Sequence, residues 1–217
     1  MLERHIQVLA TDAAGPESPA ATRERLKGGF PPGATRRMTT LGLLVGGVLA
    51  RVEPGAGDPI VYATGYGESR TLEAFLDSFP TPSPTLFQTS IHPSAVQQLM
   101  IARQCPVGEF LPLSGGDLLS FHALRASLLS HRERVIMCGG EETGTWLLEH
   151  GLASDRTFAF AVALTSGPGT GSAGTVRIHE ADGQGSLPMP AFFDLMHGRQ
   201  GFDGMIAPGW RLELEWH

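Results

Sequence analysis

The stretch EFLPLSGGDLLSFH (109–122) decides how the chain folds around Ser114. An apolar run ends at a tight Ser-Gly-Gly-Asp corner, and apolar residues at helical spacing follow it. This pattern predicts a strand from Val107 to Leu113 and a helix from Asp117 to about Ser130. Such a corner places a side chain at a helix N-terminus, where backbone N–H groups and the helix dipole stabilise negative charge. Ser114 occupies the corner and is therefore a candidate nucleophile.

Strands and helices alternate on both sides of this corner. Thr35 is the expected N-cap of a helix that continues to Leu49, a second helix begins near Ser69, and a third begins at Pro93. Strands interleaved with helices predict the α/β class: a layered mixed sheet with helices on both faces and antiparallel strands at its C-terminal end. The segments with strand character are IVYAT (60–64), RVIMC (134–138), TFAFAVALT (157–165), GTVRIHE (174–180) and WRLELEW (210–216).

Composition narrows the function classes. The chain has 217 residues, 41% of them apolar, which is enough for the core of one domain spanning 1–217. Its formal charge is −6, with basic residues scattered, so the footprint of a nucleic-acid-binding protein is missing. No apolar run approaches the roughly 20 residues of a membrane span, and no signal peptide is visible. We therefore expect a cytoplasmic protein with no membrane insertion and no nucleic-acid partner.

The two cysteines and two further motifs do not indicate a cofactor. Cys105 and Cys138 are too few for a zinc site and are expected to be reduced and structural. The segment GTGSAG (169–174) matches a dinucleotide fingerprint but precedes a strand instead of a helix, so we expect a hairpin loop there. Glu141 and Glu142 are expected to cap a helix that begins near Thr143. No cofactor and no metal ion are predicted.

A family resemblance rests on five segments in order: RRMTTLGLL (36–44), IVYATGYGE (60–68), SPTLFQTSIHPSAVQQLMIARQ (83–104), LPLSGGD (111–117) and RVIMCGGEET (134–143). Together they resemble the N-terminal half of β-ketoacyl synthases. The likeness is greatest to the short, stand-alone β-ketoacyl-synthase-like proteins of bacterial aryl-polyene and related polyketide clusters. The resemblance implies one half of a thiolase-like fold. The second half of a full synthase, which supplies the two catalytic histidines, has no counterpart in this sequence.

The same resemblance places Ser114 where the synthases carry their nucleophilic cysteine. A serine hydroxyl needs an adjacent general base to attack a thioester. His92 is a weak candidate for that base, whereas His122 lies more than two helical turns along the following helix and points away. The alternative is structural: Ser114 is then a small turn residue beside Asp117 as the helix N-cap, and His92 satisfies a loop carbonyl. We favour the structural interpretation.

The leading functional hypothesis is a ketosynthase-like accessory or scaffold subunit of polyketide or fatty-acid-type biosynthesis without condensing activity of its own. The sequence leaves open whether the chain is an enzyme, since Ser114 could serve a small acyltransferase or thioester hydrolase. A third possibility is a module that binds an acyl chain or an acyl carrier protein. The expected partner is a ketosynthase subunit or a second copy, joined through the strand near 107–113, with Phe110, Leu111 and Leu113 at the contact.

Overall fold

An eight-stranded mixed sheet forms the centre of the protein in a computed structural model, which describes residues 1–13, 17–31, 33–91 and 93–217. The strand order is β3-β2-β4-β5-β1-β6-β8-β7. The strands are β1 (Leu2–Asp12), β2 (Ile60–Thr64), β3 (Phe110–Ser114), β4 (Arg134–Glu141), β5 (Phe158–Thr165), β6 (Gly174–Glu180), β7 (Phe202–Ala207) and β8 (Trp210–Trp216).

The sheet changes from parallel to antiparallel along its width. β2 pairs in parallel with β3 and β4, and every later pairing from β4 to β7 is antiparallel. β2 is buried along its whole length, which explains its unbroken apolar sequence, whereas β8 alternates as a half-buried strand does. The predicted mixed sheet with antiparallel C-terminal strands is confirmed.

Helices cover both faces of the sheet, as predicted. α2 and α5 pack on one face against Ile60, Tyr62 and the alanines of β5, while α6 and α8 pack on the other. The helices are α1 (Pro19–Leu26), α2 (Thr40–Val52), α3 (Ser69–Asp77), α4 (Pro84–Thr89), α5 (Ser94–Ala102), α6 (Leu119–Leu129), α7 (Trp146–Glu149) and α8 (Met189–His197). None of these described helices combines the length and apolar character that a bilayer crossing requires.

The start of α2 differs from the prediction. Thr35 belongs to a short 3-10 turn from Ala34 to Arg37, and the helix begins five residues later, at Thr40. The N-cap is Thr39, whose hydroxyl accepts a hydrogen bond of 2.8 Å from the Gly42 N–H. Both threonines fit the sequence pattern of an N-cap, and only the tertiary packing of α2 decides between them.

The predicted hairpin between β5 and β6 is wrong. The two strands do not pair with each other, because the N-terminal strand β1 lies between them and pairs antiparallel with both. The loop around GTGSAG therefore crosses over the middle of β1, where the Ala173 N–H donates to the Ile6 carbonyl. The sequence pattern did not predict β1, because local turn chemistry does not reveal a strand inserted from a distant part of the chain.

Helix α3 has its apolar side turned away from the core. Leu72, Leu76 and Phe79 are exposed, and Phe79 keeps 57% of its surface in solvent. Phe75 contacts the rings of Phe79 and Phe87 at centroid distances of 5.5 and 5.3 Å. The buried side carries Ser69 and Glu73 instead. The described chain leaves this apolar surface without a covering layer.

Candidate functional site

The corner after β3 is the centre of the candidate site. β3 ends at Ser114 and α6 begins at Leu119, within a few residues of the predicted bounds. Asp117 is not the N-cap: that position belongs to Leu118, which makes no side-chain capping bond, while Asp117 is exposed in the turn. The first turn is held by a backbone bond of 3.0 Å from the Leu119 N–H to the Gly116 carbonyl.

Ser114 lies at the surface of this corner. Its hydroxyl donates a long hydrogen bond of 3.4 Å to the Gly65 carbonyl, which follows the neighbouring strand β2. Within the part of the chain that the structure describes, this is its one side-chain hydrogen bond, and no acid or base contacts the hydroxyl. His122 is exposed on α6 and packs against the Phe121 ring, in keeping with the expectation that it points away. His92 lies outside the described residues, so its role as a base stays a prediction.

A cleft of about 790 Å³ opens beside the corner, at the carboxyl ends of β2 and β4. Its walls include Gly65, Tyr66, Gly115, Gly116, Glu141 and Met189. Sites in α/β folds are commonly built at this end of parallel strands, because the loops that follow the strands converge there. The cleft is therefore the place where the corner could meet a ligand.

Glu141 forms the buried floor of this cleft. Its carboxylate accepts hydrogen bonds from the Gly65 N–H, from the Tyr66 N–H at 3.4 Å and from the Thr64 hydroxyl at 3.3 Å. Burial raises the pKa of Glu141 to about 7, and these hydrogen bonds oppose the rise. Glu141 thus holds the β2–α3 turn. The prediction that it caps a helix near Thr143 is wrong.

Glu142 faces the opposite side of the sheet. Its carboxylate bonds to the Thr40 side chain and the Leu41 N–H, and so it caps α2, far away in sequence. Burial raises its pKa to about 6, while the Arg70 guanidinium, 3.9 Å away, lowers it. The expectation that this residue caps the next helix is therefore also wrong.

Two further acids, Glu68 before α3 and Glu73 within it, serve helix starts in the same way. Glu68 accepts a bond of 3.0 Å from the Ser94 hydroxyl at the start of α5, and burial raises its pKa to about 7. Glu73 accepts from the Thr145 N–H at 2.7 Å and the Leu147 N–H at 2.9 Å, at the start of α7. The buried acids at this end of the sheet are thus structural acceptors for backbone and hydroxyl donors. Single residues in the sequence give no sign of this role.

The described residues do not activate Ser114. An exposed alcohol needs a base within hydrogen-bond distance to lose its proton at neutral pH, and a helix N-terminus supplies only about 0.3–1 kcal/mol. The described residues place no such base beside it. The acids nearby are committed to backbone donors.

We expect Ser114→Ala to change the free energy of unfolding by less than about 1 kcal/mol, since the side chain is exposed and makes one long hydrogen bond. Urea unfolding measures this change. The matched control is Ser120→Ala on α6, a fully buried serine whose hydroxyl donates to the Leu187 carbonyl, and it should cost more. Equal losses in the two variants would contradict the description of Ser114 as a surface residue.

Comparison with known proteins gives structural matches alone. No family model and no curated protein matches the sequence. A solved structure of the ketosynthase ApeO in complex with its chain length factor ApeC, from Xenorhabdus doucetiae, matches with a TM-score of 0.72 at 18% identity. This match covers 99% of our chain and 100% of the matched chain.

Two further ketosynthase structures match over most of the chain. The ishigamide ketosynthase/chain length factor matches with a TM-score of 0.57 at 11% identity, over 83% of our chain and 68% of the other. A β-ketoacyl synthase from Burkholderia phymatum matches with a TM-score of 0.52 at 12% identity, over 87% and 67%. The mixed sheet, its two helical layers and the strand-turn-helix corner at Ser114 therefore belong to the thiolase-like fold of the ketosynthases.

Proposed function

We propose that the protein is a ketosynthase-like accessory subunit of polyketide or fatty-acid-type biosynthesis that pairs with a ketosynthase and does not condense acyl units by itself. The observation that carries this proposal is the match to a chain in the ApeO–ApeC complex, which our chain covers from end to end. A polypeptide of this size can therefore occupy a place beside another subunit. The exposed Ser114, with no base beside it among the described residues, supports the lack of independent chemistry.

The contact with the partner is proposed at β3, the strand at one end of the sheet. Leu111 keeps 44% of its surface exposed, while Phe110 and Leu113 are half-buried against the two helical layers. Ile101 of α5 and Leu129 of α6 are exposed on the layers that pack on either side of this strand. An apolar edge strand flanked by exposed aliphatic side chains is typical of a surface that another chain covers.

The scarcity of charged residues in one segment also supports a protein partner. Between Thr71 and Ala102 the described residues carry one exposed acid, Asp77, and no lysine or arginine. The cores of protein interfaces are depleted of charge and enriched in aromatic side chains, as this segment is. We include an acyl carrier protein as a second partner of the assembled pair, since the resemblance to ketosynthases implies one.

Two experiments test the proposal together. The purified chain alone is expected to give no condensation product from acyl and malonyl thioesters, because coupled catalytic groups lose most of their effect when some are missing. Tagged protein, co-expressed with a ketosynthase from the same organism, is expected to purify as a complex. Leu111→Glu should weaken that complex, whereas Leu152→Glu, at a leucine that is 60% exposed and lies outside β3, should leave it intact.

Product formed by the pure chain and abolished in Ser114→Ala would overturn the proposal in favour of a Ser114-dependent enzyme. Recovery of the chain alone from the co-expression, with no difference between the two leucine variants, would remove the pairing with a ketosynthase.

A further inference from the structure

The polar groups of β3 that face away from the sheet belong to alternate residues. The Ile60 N–H donates to the Glu109 carbonyl at 2.9 Å, and Ile60 stands opposite Phe110 in the parallel ladder. Since both polar groups of a residue in a parallel strand point to the same side, residues 109, 111 and 113 bond to β2. The outward groups are those of Phe110, Pro112 and Ser114. Pro112 thus stands at the centre of the open edge and lacks an N–H.

We propose that Pro112 makes this edge select a different polypeptide over a second copy of the same chain. This inference rests on the proposed function, in which β3 is the contact surface. It adds the chemical reason why the partner differs from the chain itself.

Self-pairing fails at the two-fold axis. The antiparallel register that pairs all three outward residues sets Phe110 against Ser114 of the second copy and Pro112 against its own counterpart. The outer two pairs form their hydrogen bonds. At the centre, two carbonyls face each other with no donor between them, so two of the six possible bonds are lost. A partner strand with an ordinary residue opposite Pro112 supplies an N–H to its carbonyl and loses one bond.

Charged residues at the two ends of β3 also disfavour a second copy of the same chain. The exposed acid Glu109 precedes β3, and the exposed acid Asp117 follows it in the turn. Antiparallel self-pairing brings the Glu109 end of each copy toward the Asp117 end of the other, so like charges approach at both ends, and Arg132, 4.0 Å from the Glu109 carboxylate, offsets only the charge of its own partner. A strand with neutral or basic residues at its ends avoids this repulsion. The occupant that fits is therefore an edge strand of another protein, with an N–H at its centre and no acids at its ends.

The test measures self-association, with the full chain and without any ketosynthase. Sedimentation equilibrium of the wild type should show monomer, and Pro112→Ala should associate at least about tenfold more tightly, because it restores two hydrogen bonds. Pro106→Ala is the matched control, since that proline lies before the strand and should change nothing.

A second measurement does not depend on how well the variant folds. Labelled peptides of residues 107–116, with either proline or alanine at position 112, are titrated into the wild-type protein. The alanine peptide supplies the missing N–H and should bind several-fold more tightly than the native peptide. A tight wild-type dimer, or equal behaviour of the proline and alanine forms in both measurements, would overturn the inference. Since no ketosynthase is present, that result leaves the proposed pairing to its own co-purification test.

Discussion

Gly139→Ala is expected to lower the free energy of unfolding by about 3 kcal/mol or more. Gly139 lies in β4, between β2 and β5, and a Cβ at this position would stand 2.3 Å from the Ala63 carbonyl oxygen and 2.9 Å from the Phe160 ring. The Ala63 carbonyl belongs to β2, which pairs with strands on both sides, so it cannot move without breaking ladder bonds, and the Phe160 ring is fully buried. Urea unfolding followed by circular dichroism measures the loss.

Gly47→Ala in α2 is the matched control. A Cβ there meets one atom, Leu26 Cδ2, at an ordinary contact distance of 3.5 Å. Alanine is the better helix former by about 0.5–1 kcal/mol, so this variant should be as stable as the wild type or more so. If the two alanine variants unfold at the same urea concentration, the close packing around Gly139 is wrong.

Glu73→Ala is expected to lower the free energy of unfolding by about 3 kcal/mol at pH 7. The change leaves a buried cavity and removes the acceptor for the Thr145 N–H, the Thr145 hydroxyl and the Leu147 N–H at the start of α7. Glu73→Gln keeps one carbonyl acceptor and should lose less. Glu149→Gln on α7, an exposed carboxylate, is the control and should have little effect.

The free energy of unfolding that Glu73→Gln loses relative to the wild type should depend on pH. Burial alone raises the pKa of Glu73, but hydrogen bonds from Thr145 and Leu147 and the charge of Arg70 lower it below its ordinary value of 4.5. A lowered carboxyl pKa contributes stability above the unfolded value, and this contribution disappears as the pH falls through the folded value. The wild type and Glu73→Gln should therefore converge in stability below pH 4.5. A constant difference down to pH 3 would show that the ionised carboxylate is not what holds α7.

The parts of the fold that follow from local sequence were predictable. The run IVYAT is a strand over the predicted residues because a strand buried on both faces needs an unbroken apolar sequence. The corner near Ser114 was also predictable, since a strand-turn-helix pattern with two glycines has few other structures. Both features depend on residues that are close together along the chain.

The parts of the fold and of the site that depend on residues distant in the sequence were not predictable. The place of β1 between β5 and β6 is set by pairing partners that lie at least 147 residues away in the sequence, the separation of Asp12 and Ala159. The roles of Glu73, Glu141 and Glu142 come from helix starts and turns that reach them only in the folded chain. Helix α3 has a regular apolar face, but periodicity alone does not tell whether that face meets the core or another molecule.

The two ends of the sheet differ in a way that limits how large an assembly can grow. At the β7 end, the pairing with β8 is interrupted by a bulge between Met205 and Ala207, and the Arg211–Asp203 ion pair lies across the same two strands. These features discourage a further strand from adding there. A chain that joins a partner through β3 therefore has no equivalent growing end left among its described strands. On the proposed pairing through β3, continuous sheet extension from this chain is therefore expected to end with that one partner.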